Sequence, residues 1–196
     1  MNVPPVRLGI LPQYRHIQCY VPQYPMTPAK RAWMIVYTKE NEKNGYWHKI
    51  PSSLHCIPYT MVPKKSKDGV ILRYRPAFDG RVVNQYCELF KANMPTMKDF
   101  DEFHSIKGLF TMADIKNMFD NIPLHKEDQP WSTVLTPLGL YRMTHLAYGW
   151  KNAATNAQAI MNQMAVSVGY CIAYIDDILL KHPLHWGTKE LIKHLC

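Results

Sequence analysis

No apolar run in this 196-residue chain approaches the ~18 residues of a membrane-spanning helix, and the N-terminus lacks the charged-then-apolar pattern of a signal peptide. Cysteine supplies no framework either. The five residues, Cys19, Cys56, Cys87, Cys171 and Cys196, are odd in number and include no C-x-x-C pair. That excludes a disulfide scaffold and a zinc knuckle, and it fits a reducing compartment. There is no Gly-rich phosphate loop, no Ser-His-Asp order of a hydrolase triad, no repeat and no low-complexity tract. Acids are scarce, 15 against 23 Lys and Arg, for a net charge of +8. Such an excess suits an acidic partner, with nucleic acid the first candidate. Charged residues make up only 19% and hydrophobic ones 47%, enough for one large domain or two small lobes rather than a disordered chain. The expectation is a soluble, intracellular, cytoplasmic protein that is neither secreted nor membrane-bound.

Two of the scarce acids are adjacent aspartates. Asp176-Asp177 sits between Tyr170-Cys171-Ile172-Ala173 and Ile178-Leu179-Leu180, the pattern of a β-hairpin with acids at its tip. One reading is an Asx-type turn, in which an Asp side chain bonds its own backbone. The other is a divalent-cation site, because hard cations take carboxylate oxygens.

Along the chain, residues 1–26 carry five prolines and interleaved tyrosines and read as an extended arm or linker. Thr27-Pro28 opens a helix that stops near Asn44-Gly45, with Trp33, Val36 and Tyr37 as its apolar stripe. Residues 57–75 read as a hairpin. Its tip bears Lys64, Lys65 and Lys67, and its return strand bears Arg73 and Arg75. This is either a solvated basic turn or a flap that holds phosphates. Thr96-x-x-Asp99 resembles a capping box opening a helix whose Met97, Phe100, Phe103 and Ile106 form a buried face. A strand from Leu109 arrives at Asp114, a short helical turn precedes Pro123, and strands at 133–136 and 140–144 follow. The clearest helix has Ala153, Ala157, Ile160, Met161, Met164 and Val168 at helical intervals, closes at Gly169 and leads into the Asp176-Asp177 hairpin. Thr188 caps a last helix through Leu195, and His182, His185, His194 and Cys196 match no common zinc-ligand spacing.

Three acids at strand ends and a hairpin tip, Asp114, Asp176 and Asp177, form a donor set for two-metal nucleotidyl transfer. In their order the motifs closely resemble the fingers–palm part of a reverse transcriptase, as found in retroviral and gypsy-like LTR-retrotransposon Pol polyproteins. Tyr174-Ile175-Asp176-Asp177 matches the Tyr-x-Asp-Asp motif, and Phe110-x-x-x-Asp114-x-x-x-x-Phe119 matches the first catalytic Asp with its aromatic. Ile122-Pro123-Leu124, Thr136-Pro137-Leu138-Gly139, Leu146-x-x-Gly149-x-Lys151-Asn152 with Gln158, and Arg75, Asp79, Arg81 and Asn84 fall in register with the rest. The likeness spans roughly residues 50–190, and its six ordered motifs select the metal reading of the acids.

The resemblance implies an α+β fold: an antiparallel palm sheet backed by helices, with a fingers subdomain and no thumb. Fingers would lie mainly at 27–95 and part of 120–150, and palm mainly at 96–119 and 151–196. It implies Asp114, Asp176 and Asp177 as catalytic ligands of two Mg²⁺ ions, with Mn²⁺ an alternative. Lys65 (or Lys64 or Lys67), Arg75, Phe119, Tyr148 and Gly149 would face the dNTP, with Phe119 as the steric gate against a 2′-hydroxyl. Asn84, Gln158 and Tyr174 would face template and primer. The implied partners are an RNA or DNA template with primer, dNTPs and the remaining Pol regions (thumb, RNase H, integrase and protease), in cytoplasm or virus-like particles. Departures are Tyr74 for the usual Trp, Ala147 and Ala154 for two prolines, and a longer fingertip loop. Two rivals stand beside this reading: an inactive remnant that at most binds nucleic acid, and an RNA-directed RNA polymerase, against which Phe119 argues.

Overall fold

The computed structural model describes residues 3–105 and 107–182. It divides into two units, Met1–Leu89 with Phe119–Ala153, and Phe90–Met118 with Ala154–Cys196. Among the described residues no helix is long and apolar enough to cross a membrane.

The first unit begins with helix α1 (Pro28–Lys43), where Thr27 Oγ1 accepts from the Lys30 N–H and Asn44 closes the far end. Its buried residues are Met34, Thr38 and Asn41, whereas Trp33 and Val36 are 40% and 50% exposed. The stripe expected from Trp33 and Val36 is therefore rotated. Thr38 and Asn41 can face inward because each bonds a carbonyl one turn back, Met34 O at 2.7 Å and Tyr37 O at 2.8 Å. Strands β1 (Trp47–Lys49), β2 (Tyr59–Lys65) and β3 (Ile71–Phe78) follow, then the single turn α2 (Arg81–Asn84). β2 and β3 pair antiparallel as the expected hairpin. β1 joins the hairpin β5 (Thr133–Thr136) and β6 (Gly139–Met143) in a sheet ordered β1-β6-β5. Tyr59, Met61, Val134 and Tyr141 fill the core of this unit.

Residues 3–26 are extended apart from one 3₁₀ turn at Pro12–Tyr14, but they do not hang free as a linker. Leu8, Ile10 and Cys19 are buried. Val6, Ile10 and Tyr20 form single β-bridges to Leu124, Cys87 and Cys56. Asp128 is fully buried and anchors this strap, accepting from the Leu8 N–H at 2.8 Å and from Arg15 Nη2 at 2.9 Å, with Arg7 Nε at 3.6 Å. A buried carboxylate needs such partners.

The second unit contains helix α3 (Met97–Ser105), β4 (Leu109–Asp114), most of α4 (Ala153–Val168), β7 (Cys171–Tyr174) and β8 (Asp177–His182). The Thr96–Asp99 box forms in both directions: Asp99 accepts from the Thr96 N–H at 2.6 Å and donates its own N–H to Thr96 Oγ1 at 3.4 Å. The buried face expected on α3 is only half-buried at Phe100 and Phe103, and Met97 is 76% exposed. Ala157, Gln158 and Met161 of α4 are buried, as the helical spacing predicts for the two apolar ones. The sheet runs β4-β8-β7, all antiparallel. His182 is buried with Nε2 at 2.9 Å from Thr111 Oγ1. The helix expected from Thr188, with His185, His194 and Cys196, lies outside the described residues.

Candidate active site

In the second unit the sheet register gathers three expected residues at one end. Asp114, the last residue of β4, is the cross-strand partner of Asp177, the first of β8. Tyr174 is the partner of Asp177 on the other side. Partners across an antiparallel ladder share a face, so Asp114, Asp177 and Tyr174 lie on one face of the sheet. Asp176 sits in the two-residue turn before Asp177, and its carbonyl accepts from the Ile115 N–H at 2.8 Å. Opposed like charges disfavour a sheet, and no side-chain hydrogen bond or ion pair among the described residues relieves any of the three carboxylates. Oxygen donors left unpartnered at one strand end fit a hard divalent cation. As they stand, no three such groups among the described residues are drawn close enough to hold an ion.

The turn between the acids is strained. Ile175 has φ +56°, a left-handed backbone that a β-branched residue rarely adopts and that costs about 1–3 kcal/mol. Gln158 of α4 reaches it. Its Oε1 accepts from the Ile175 N–H at 2.8 Å, and its Nε2 donates to the Ala173 carbonyl and to Asn162 Oδ1, each at 2.8 Å. Asn162 Nδ2 in turn donates to the Asn93 carbonyl at 2.8 Å. Gln158, expected at template or primer, has no exposed surface. Both ends of its amide bond backbone. Sequence reasoning missed Asn162 and Ile115; spacing alone marks Asn162, four residues on from Gln158 on the same helix face.

In the first unit, Phe119 is 7% exposed, and its ring meets Tyr148 edge to face at 4.5 Å and 80°. Tyr148 is 54% exposed. Gly149 has φ +103°, and a Cβ there would run into the Phe78 carbonyl oxygen. A Cβ on Gly80 would stand 2.6 Å from the Gly149 carbonyl oxygen. Two backbones thus touch where only glycine permits it. Asn84, expected at template and primer, is occupied here. Its Nδ2 donates to the Gly149 carbonyl at 2.9 Å, and its Oδ1 accepts from the Lys151 N–H at 2.9 Å. Beside it, Arg81 grips Asp79 through two bonds of 2.8 and 2.6 Å, and Tyr24 Oη donates to Asp79 at 2.6 Å. The Arg81 guanidinium holds the Asp79 carboxyl well below its ordinary range.

On the β2–β3 hairpin, Lys64 stands opposite Arg73 and Val62 opposite Arg75. The register shifts between Lys64 and Lys65, so Lys65 pairs with Ile71. Lys65 and Arg75 are not cross-strand partners; the like-charged pair is Lys64 with Arg73. Two cations opposed on one hairpin repel unless an anion lies between them.

Known proteins resemble this chain in sequence and fold. The chain is 24% identical over 176 residues to the Transposon Tf2-3 polyprotein of Schizosaccharomyces pombe, covering 88% of this chain and 12% of that one. It is 25% identical over 166 residues to the retrovirus-related Pol polyprotein from transposon 297 of Drosophila melanogaster, covering 82% and 15%. The chain thus spans only about an eighth of these relatives' length. Its fold matches a foamy viral protease-reverse transcriptase solved in complex with double-stranded DNA, with TM-score 0.80 and 20% identity over 99% of this chain and 32% of that one. The native prototype foamy virus protease-reverse transcriptase matches with TM-score 0.74 and 24% identity over 91% and 23%. The α+β fold is therefore that of the reverse transcriptases. The family profile for reverse transcriptase (RNA-dependent DNA polymerase) matches residues 62–195, and the chain belongs to that family.

Proposed function

We propose that this chain is the RNA-directed DNA polymerase domain of a retroelement Pol polyprotein, adding dNTPs to a primer 3′-hydroxyl on an RNA or DNA template. The observation that carries the reading is the cross-strand pairing of Asp114 with Asp177, with Asp176 tied to Ile115 and all three carboxylates unneutralised. The second unit is the palm and the first the fingers. Asp114, Asp176 and Asp177 would hold two Mg²⁺ or Mn²⁺ ions, which when bound supply activation of the attacking hydroxyl and neutralisation of the leaving pyrophosphate. Tyr174, 45% exposed beside Asp177, meets the primer end. The Phe119 ring, edge to face against Tyr148, would present a wall to C2′ of the incoming sugar. Arg75 and a fingertip lysine receive the triphosphate, Lys as a point charge and Arg as a fork. The setting is cytoplasmic or within virus-like particles, with thumb, RNase H, integrase and protease regions as partners.

The test is primer extension by the full chain on an RNA template, with Mg²⁺ or Mn²⁺ and with chelator. Metal-dependent extension is expected. Salt-sensitive nucleic-acid binding without any extension would identify a remnant instead.

A further inference from the structure

We propose that Gln158 is a positioning residue for the carboxylate hairpin and makes no contact with nucleic acid; the inference rests on the polymerase reading above. Among the described residues β7 is the outer strand of its sheet, and its outward backbone groups have no neighbouring strand to bond. At the critical end those groups are the Ala173 carbonyl and the Ile175 N–H, which flank Tyr174. One primary amide meets both, at 2.8 Å each. Gln158 thereby acts as the missing strand, one peptide long. Its orientation follows from its partners, because an N–H can be met only by the amide oxygen and a carbonyl only by the amide nitrogen. Asn162 fixes the same orientation from the helix side and passes the restraint to the backbone at Asn93.

The consequence falls on Ile175. With φ at +56° in a two-residue turn, this β-branched residue would relax if its N–H were released. Relaxation would carry Asp176 and Asp177 with it. On the opposite side the bond from the Ile115 N–H to the Asp176 carbonyl holds the turn. Leucine at position 158 keeps the volume but removes both bonds. Glutamic acid in its neutral form keeps an oxygen for Ile175 and one O–H for Ala173, whereas glutamate keeps only the first.

The experiment compares full-length wild type, Gln158→Leu and Gln158→Glu by amide hydrogen exchange and by primer extension. In Gln158→Leu the Ile175 amide should exchange at least about tenfold faster, the weight of one buried hydrogen bond, while the amides of Ala157 and Met161 keep their rates and show that α4 is folded. The kcat should fall at least about tenfold, with KM for primer-template changed less than about twofold. Gln158→Glu should match wild type in activity at low pH and fall below it as pH rises through its carboxyl pKa and the bond to the Ala173 carbonyl is lost, while Ile175 keeps its protection because the carboxylate still accepts from its N–H. An unchanged Ile175 exchange rate in Gln158→Leu, or a raised KM with kcat intact, would overturn the proposal. If the wild type extends no primer, the polymerase reading fails, and the exchange rates alone decide whether Gln158 fixes the turn.

Discussion

Replacing Gly149 by alanine should destabilise the first unit by about 2–6 kcal/mol, in two separable parts. The backbone at φ +103° costs a side-chain-bearing residue about 1–3 kcal/mol. The added Cβ also meets the Phe78 carbonyl oxygen and stands 3.1 Å from the carbonyl carbon. Those are backbone atoms that cannot swing aside, so a further cost of about 1–3 kcal/mol applies, as for overpacking. Gly45 isolates the first part: its φ is +74° and no atom of the described residues lies within 4 Å of its would-be Cβ, so Gly45→Ala should cost only about 1 kcal/mol. Urea unfolding of both variants, followed by midpoint and slope, reads the difference. Native stability is only about 5–15 kcal/mol, so the contrast is large on that scale. Equal losses for Gly149→Ala and Gly45→Ala would refute the close approach of the two backbones.

Burial pushes the Asp120 carboxyl up to about 6. A carboxyl raised in the folded state contributes stability that is complete below its ordinary pKa of 3.8 and is lost as pH rises through about 6. Two pKa units correspond to about 3 kcal/mol, so Asp120→Asn should stabilise by about 1–3 kcal/mol at pH 8 and by nothing at pH 4; an equal effect at both pH values would contradict this. Phe119→Ala should let ribonucleotides compete with deoxyribonucleotides in primer extension, and unchanged sugar selectivity would rule out the steric gate.

Local chemistry made much of the fold legible. Thr27 and Asn44 bound α1 as their cap chemistry predicts, and the Thr96–Asp99 box forms as written. The β2–β3 hairpin and the acids at the β7–β8 tip follow from apolar runs separated by turn residues. What failed depends on tertiary packing. Thr38 and Asn41 read as polar but are buried because each satisfies itself within the helix. Leu8 and Ile10 read as part of a linker but are buried, since the anchor for that strap, Asp128, lies more than a hundred residues away. At the site, residue types and order pointed to Asp114, Asp176 and Asp177. They could not show that Asn84 and Gln158 are taken up by backbone partners, because an amide's partner is set by sheet register and helix rotation. Nor could they show that Lys64, rather than Lys65, stands opposite an arginine.

The most direct test of the central claim is primer extension by Asp176→Asn beside wild type, in Mg²⁺ and in Mn²⁺. The substitution keeps the side chain's shape and removes one charged oxygen donor from the strand end where Asp114 and Asp177 are paired. Metal-ion charge stabilisation is the main catalytic contribution in such chemistry, so extension should fall by about three orders of magnitude while binding of primer-template stays within a few-fold. Extension by Asp176→Asn within about tenfold of wild type would contradict the assignment of these carboxylates as the metal-binding catalytic centre.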